Sequence, residues 1–163
     1  MEVIDLEQTR EESFVAAVRE HRHRVYRVAL SILRSPEDAE DAVSEATEVT
    51  WKALPRIRDL DSLGIYLTRC TVNAARGILR KRKKEDSDTE KLEQLPAPDP
   101  ETQIFEYVSG LKEKYRTPVI LKFQENMREQ DIAAVLHIPR GTVSTRITRA
   151  LRMLRIELEE EET

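Results

Sequence analysis

Four side chains in the last quarter of the chain, Thr145, Thr148, Arg149 and Arg152, recur at three- and four-residue spacing. At about 100° per residue they share one face of a helix. Hydroxyls and guanidinium groups on such a face bond base edges and phosphates. The stretch Arg140 to Arg155 carries five arginines and no acid. A second acid-free run, Arg69 to Lys84, holds seven basic residues. Within it Arg69, Asn73, Arg76 and Arg80 fall opposite an apolar stripe. Arginine and lysine there can hold phosphates, and Asn73 can both donate to and accept from a base.

The net charge of −4 does not contradict these basic segments, because the acids lie elsewhere. They concentrate in Glu37 to Glu48, Glu85 to Glu101 and Glu157 to Glu162. A polyanion responds to the local field rather than the total charge. The acidic segment Glu37, Asp38, Glu40, Asp41, Glu45 and Glu48 would repel DNA, so it must meet solvent or a basic protein.

Nothing in the chain points to catalysis. Paired carboxylates, a nucleophile constellation, a phosphate-cradling glycine loop and metal-ligand spacing are all missing. The expectation is a non-enzymatic protein with no catalytic residue, no metal site and no cofactor. His21 and His23 bracket Arg22 on a polar stretch and read as surface residues. The single cysteine, Cys70, rules out an internal disulfide and fits a reducing cytoplasm. No secretory signal or apolar run long enough to span a bilayer is present, so no membrane insertion is expected.

The elements that must position these groups are all helical. Phe14, Val18, Val25, Ala29 and Ile32 set a helix over about residues 10–34. Ser35 reads as an N-cap before Pro36 at the first helical position. The next helix places Ala39, Ala42, Val43, Ala46, Val49 and Ala53 on one side and stops at Leu54, before Pro55. Asp61 or Ser62 caps a third, whose inner stripe is Leu63, Leu67, Cys70, Ala74 and Ile78. Trp51 and Tyr66 read as packing residues. Residues 86–100, with three prolines and many acids, read as a flexible linker.

Four more helices are expected beyond the linker. Ile104, Tyr107, Val108 and Leu111 mark the first. Val119, Ile120, Leu121 and Phe123 mark the second, starting at Thr117 and Pro118 or slightly earlier. Arg128 to Leu136 form the third and Pro139 to about Glu160 the fourth. Ile132, Ala133 and Leu136 face inward, Ile138 plugs the turn, and Val143, Ile147, Ala150, Leu151 and Leu154 continue the inner face. His137 occupies the turn position where glycine would avoid left-handed strain. This is a helix-turn-helix, with its second helix shaped to enter a major groove. The fold class is therefore all-α, two small helical domains joined by the linker. Their bounds are residues 1–85, 86–100 and 101–163.

The runs SPEDAEDAVSEATEVTWKAL and YLTRCTVNAARGILRKRKK resemble region 2 of bacterial extracytoplasmic-function sigma factors. The run LKEKYRTPVILKFQENMREQDIAAVLHIPRGTVSTRITRALRMLR resembles their region 4. The resemblance spans about residues 10–156 and implies an alternative sigma factor that binds core RNA polymerase and directs promoter-specific initiation. It implies that Asp38, Glu40, Asp41 and Glu45 dock on the polymerase clamp. Arg69, Asn73, Arg76 and Arg80 would meet the duplex edge and unpaired strand of the minus-ten element. Loop residues 56–62 would help capture a flipped base. Ser144, Thr145, Thr148 and Arg149 would read the minus-thirty-five element, with Arg140, Arg146 and Arg152 on its phosphates. The resemblance also implies an anti-sigma partner. Tyr66 stands where the family usually has tryptophan, and the loop RIRDLDS lacks the family's aromatic or glycine.

Two other readings compete. A helix-turn-helix regulator would use its first helices to dimerise and bind a palindrome without polymerase. A sigma-like adaptor would bind its partner without opening promoters. A dimeriser needs a long exposed apolar seam, and the second helix is acidic instead.

Overall fold

The computed structural model of the protein describes residues 2–85 and 108–161, with side chains for 6–85 and 108–155. Every regular element among the described residues is helical. The chain divides into two compact units, Met1–Leu92 and Glu93–Thr163.

The first unit packs α1 (Glu2–Leu33), α2 (Pro36–Ala53) and α3 (Leu63–Glu85). Val25, Val28, Ala29, Ile32 and Leu33 are buried at helical spacing in the last turns of α1. Val25, Ala46 and Leu67, one from each helix, meet in the core. Arg34 ends α1 in the left-handed region (φ 56), its amide bonded to the Leu30 carbonyl at 2.8 Å. Ser35 then caps α2, its hydroxyl oxygen accepting from the Asp38 amide at 3.3 Å. Pro36 follows at the first helical position, where its missing amide costs no hydrogen bond. The α1–α2 corner is thus set by three consecutive residues.

Small residues dominate the packed faces: Ala39, Ala42, Ala46 and Ala53 on α2, and Gly64, Thr68, Thr71, Ala74 and Ala75 on α3. Buried threonine hydroxyls would cost stability if left without partners. Each instead donates to the carbonyl four residues back: Thr50 to Ala46 at 2.8 Å, Thr68 to Gly64 at 2.7 Å, Thr71 to Leu67 at 2.8 Å. Thr50 takes the buried place expected of Val49, which is 44% exposed. On a helical wheel centred on Ala46, Thr50 lies about 40° away and Val49 about 60° on the other flank. The α2 helix stops at Ala53, and Pro55 sits in a tight turn, Leu54–Arg56. A second such turn, Leu60–Ser62, leads into α3, and Asp59 caps that turn.

His21 is not a surface residue. Its side chain is 19% exposed, and a β-carbon added at Gly64 would lie 2.3 Å from its Nε2. Gly64 therefore opens space for the ring. Burial first, and Arg24 second, push the His21 pKa below its ordinary 6.5. The fold favours the neutral ring, so its stabilisation is full above 6.5 and declines as pH falls toward the lower folded value. The urea midpoint is expected to drop between about pH 7.5 and 5.5. His21→Leu should flatten that dependence; an unaltered slope would assign it to other groups.

Two arginines fasten the bundle across long sequence distances. Arg10 donates to the carbonyls of Leu54 and Ile57, tying α1 to the turn after α2. Arg82, near the end of α3, donates to Asp38 at 3.0 Å and to the Leu33 carbonyl at 2.8 Å.

The second unit holds α4 (Glu113–Val119), α5 (Glu129–Leu136) and α6 (Arg140–Glu161). Its second expected helix starts earlier than Pro118, which lies inside α4. Proline has no amide for the helix ladder. The chain leaves α4 by a wide π-type turn, Ile120–Gln124, closed by Glu125 N–H on the Ile120 carbonyl at 3.0 Å. Val108, Leu111, Val119, Ile120 and Ala150 form the core, with Tyr115, Met153 and Leu154 against it. Ile132, Val135 and Leu136 of α5 are buried, as are Val143 and Ile147 of α6.

Leu151 departs from the expected inner face and is 44% exposed. It lies about 80° round the helix from Val143, at the flank of the stripe. Phe123 is also exposed, at 43%. Residues 86–100, Ile104, Tyr107 and the side chains of the acidic tail lie outside the described residues.

Candidate nucleic-acid interface

The turn between α5 and α6 is built from local rules. His137 adopts the left-handed conformation (φ 55, ψ 48), the strained position its place in the sequence suggested. The His137 amide and the Ile138 amide (3.2 Å) both bond the Ala133 carbonyl, closing α5. The Pro139 carbonyl then accepts from Thr142 at 3.0 Å and Val143 at 3.2 Å, opening α6. The α6 helix is held at a fixed angle by this turn and by the buried faces of α5 and α6.

On α6, Arg140, Thr145, Thr148, Arg149 and Arg152 are exposed, while Ser144 and Arg146 are half-buried. Thr145 donates its hydroxyl to the Gly141 carbonyl at 2.9 Å. Outward it therefore offers lone pairs and a methyl, which suit an amino donor or a thymine methyl. Ser144 is differently placed: it donates to Glu129 of α5 at 3.0 Å. Glu129 also accepts from Lys122 at 3.1 Å and lies 4.0 Å from Arg140. One carboxylate thus joins the π-type turn, α5 and the first turn of α6. Lys122 and Ser144 lie 7 and 15 positions from Glu129, on different elements, so helical spacing could not have revealed the link.

Hydrogen bonds from Lys122 first, and Ser144 second, hold the Glu129 carboxyl below its ordinary pKa of 4.5. Its stabilisation is present above 4.5 and fades as pH falls through the lower folded value. Glu129→Gln is expected to be less stable than the parent at neutral pH, with the gap closing in acid. A gap that stays constant down to pH about 3 would refute this linkage.

Lys114 and Tyr115 of α4 complete the face, and the helical spacing of α6 gave no sign of them. Hydrogen bonding to Arg149 is the main cause that lowers the Tyr115 pKa. The Lys114 ammonium lies 5.0 Å from the Tyr115 ring centroid.

In the first unit a groove of about 340 Å³ runs between α2 and α3. Asn73, Arg80 and Lys81 line it, facing Glu45 of α2. Cys70 adjoins them, half-buried, and burial pushes its thiol pKa up. Arg69 and Arg76 are half-buried, and Arg76 already interacts within the fold. Of the acidic set, Glu40, Asp41 and Glu45 are exposed. Asp38 instead has 29% of its side chain exposed and pairs with Arg82. In the loop before α3, Asp59 accepts from the Asp61 amide at 3.0 Å, leaving Arg56 and Arg58 exposed.

Trp51 is 46% exposed and meets Phe14 edge-on, with ring centroids 5.1 Å apart. It lies about 140° round α2 from Ala46, a displacement that a helical count could have revealed.

Residues 17–85 match Sigma-70 region 2, and residues 102–154 match Sigma-70, region 4. The RNA polymerase sigma-E factor of Streptomyces coelicolor is 31% identical, covering 89% of this chain and 85% of its own. This chain belongs to the extracytoplasmic-function RNA polymerase sigma factors. Members of the family are regulatory proteins, and the chain is an alternative sigma factor directing promoter-specific transcription. RNA polymerase sigma factor SigV of Bacillus subtilis is 29% identical over 95% of this sigma factor and 96% of its own chain. The solved structure of the sigma factor RpoE, in complex with the anti-sigma factor NepR from Bartonella quintana, shares the fold. Its TM-score is 0.69 at 21% identity, over 95% of this chain and 97% of that one. No described helix is long and apolar enough to cross a membrane.

Proposed function

We propose a division of labour between the two units. Residues 1–85 bind core polymerase and meet the minus-ten element, residues 86–100 link, and residues 101–163 read the minus-thirty-five element. The observation that carries this reading is the exposed Thr145, Thr148, Arg149 and Arg152 face of a helix fixed by the His137 turn. Thr145, Thr148 and Arg149 read base edges, and Arg140, Arg146 and Arg152 hold phosphates. Ser144 serves the interface through its bond to Glu129 as well as through any base it reaches.

Asn73 and Arg80 meet the unpaired minus-ten strand from the exposed face of α3, with Arg69 and Arg76 on its duplex edge. Loop residues 56–62 help capture a flipped base, and these contacts help open the DNA. Glu40, Asp41 and Glu45 dock on a basic surface of core polymerase, while Asp38 shapes the corner that presents them. The half-exposed Trp51 and Phe14 pair supplies apolar contact at the margin of that surface, as aromatic residues do at protein interfaces. The protein acts in the cytoplasm. Because the RpoE structure contains an anti-sigma factor, a similar inhibitor is proposed for this chain.

The test is transcription in vitro with purified core polymerase on fragmented genomic DNA, with start sites mapped. Discrete starts sharing two upstream elements are expected. Core binding without starts would make the protein an adaptor, and neither would leave a helix-turn-helix regulator.

A further inference from the structure

The recognition helix shares a cleft with α4. Lys114 and Tyr115 form one wall, and Gly141, Thr145, Arg146 and Arg149 lie along the other. The cleft measures about 340 Å³, and its lining holds three cations and no carboxylate. Like charges around one small space repel, and an entering anion relieves that repulsion. The space in front of Gly141 is open: a β-carbon there would meet nothing within 4 Å. Tyr115 is a rigid post, because its ring packs against the core that includes Ala150. Thr145 and Arg149 belong both to this cleft and to the exposed face of α6. A duplex laid on that face brings its backbone to the mouth of the cleft.

We propose that the cleft seats one phosphate of the promoter duplex, gripped by Lys114 and Arg146, while the Tyr115 hydroxyl positions Arg149 against its base. The inference rests on α6 being the base-reading helix, and it extends the interface to a helix outside the helix-turn-helix. The two residues from α4 have separable roles. Lys114 supplies affinity without sequence preference, as phosphate contacts do. Tyr115 is a positioning residue, contributing to discrimination through Arg149.

The test uses polymerase reconstituted with the full-length sigma factor and a fluorescent promoter duplex. Binding is measured over a salt series, against the same duplex altered at single minus-thirty-five positions. Lys114→Ala should weaken binding to all duplexes alike and make the slope of log affinity against log salt shallower by about 0.9. Between about 50 and 200 mM salt it then loses roughly threefold less affinity than the parent. Tyr115→Phe keeps the ring and should leave that slope unchanged. It should reduce discrimination at one base position, the same position at which Arg149→Ala reduces it.

Should Lys114→Ala leave the slope unaltered and Tyr115→Phe leave discrimination intact, while Arg149→Ala still loses it, the cleft proposal is overturned and the reading of α6 stands. If Arg149→Ala also discriminates as well as the parent, both are overturned.

Discussion

Replacing Glu40, Asp41 and Glu45 together by lysine is expected to leave the first unit folded and to abolish promoter-directed transcription. All three side chains are exposed on α2, away from buried Ala39, Ala42 and Ala46. Lysine and glutamate have similar helix propensity, so the helix itself loses little. Reversal turns three attractive contacts with a basic partner into repulsive ones. Like-charge juxtaposition at an interface costs several kcal/mol. Core affinity should fall at least about 100-fold at low salt, with the loss shrinking as salt screens the charges.

Asp38→Asn separates presentation from contact. It removes the carboxylate that holds Arg82, which also bonds the last carbonyl of α1. The expected loss is about 1–2 kcal/mol of stability, with a far smaller change in core affinity than the triple reversal. Fluorescence anisotropy with labelled core, alongside urea melts of each variant, checks both statements. A triple variant that binds core as the parent does would remove the acidic face from the interface.

The contrast between Asp38 and its neighbours shows where sequence reasoning reaches and where it ends. Caps and breakers act over three or four residues, so Ser35, Pro36 and the His137 turn were legible from the chain alone. The exposed face of α6 was legible too, because Thr145, Thr148, Arg149 and Arg152 follow the helical period. Periodicity fixes an angle on a helix but not which partner covers it. Hence Val49 and Leu151, at the flanks of their stripes, are exposed where burial was expected.

Contacts between distant residues carry no local signal. Arg82 reaches Asp38 across 44 positions, and Ser144 reaches Glu129 across 15. His21 looked polar and free until its ring was found over Gly64. Nor did anything near α6 announce Lys114 and Tyr115, which a separate helix brings to it. The candidate interface was therefore legible as two basic faces, and illegible in the contacts that orient them.

Arg116→Met is expected to uncouple the two units functionally. Arg116 is 5% exposed and donates to the Leu111 carbonyl at 2.8 Å. Among the described residues, it and Glu125, 6% exposed, are the charged groups that the fold buries, and both lie in the second unit. Methionine keeps much of the stem but strips the Leu111 carbonyl of its donor. Leaving a buried carbonyl without its donor costs about 1–3 kcal/mol. A unit of this size has only roughly 5 kcal/mol to lose.

The melting point of the second unit should fall by roughly 4–24 °C, while the first unit is unaffected. The α4 helix carries Lys114 and Tyr115, and its core neighbour Ala150 lies beside Arg149, so local loosening reaches the reading face directly. Initiation by the variant should decline with temperature well before the parent does, with core binding preserved at every temperature. Amide exchange followed by mass spectrometry resolves the two units in the intact chain. Unchanged protection in α4 to α6 would show that the buried arginine contributes little, and loss of protection in α1 to α3 would show that the units fold as one.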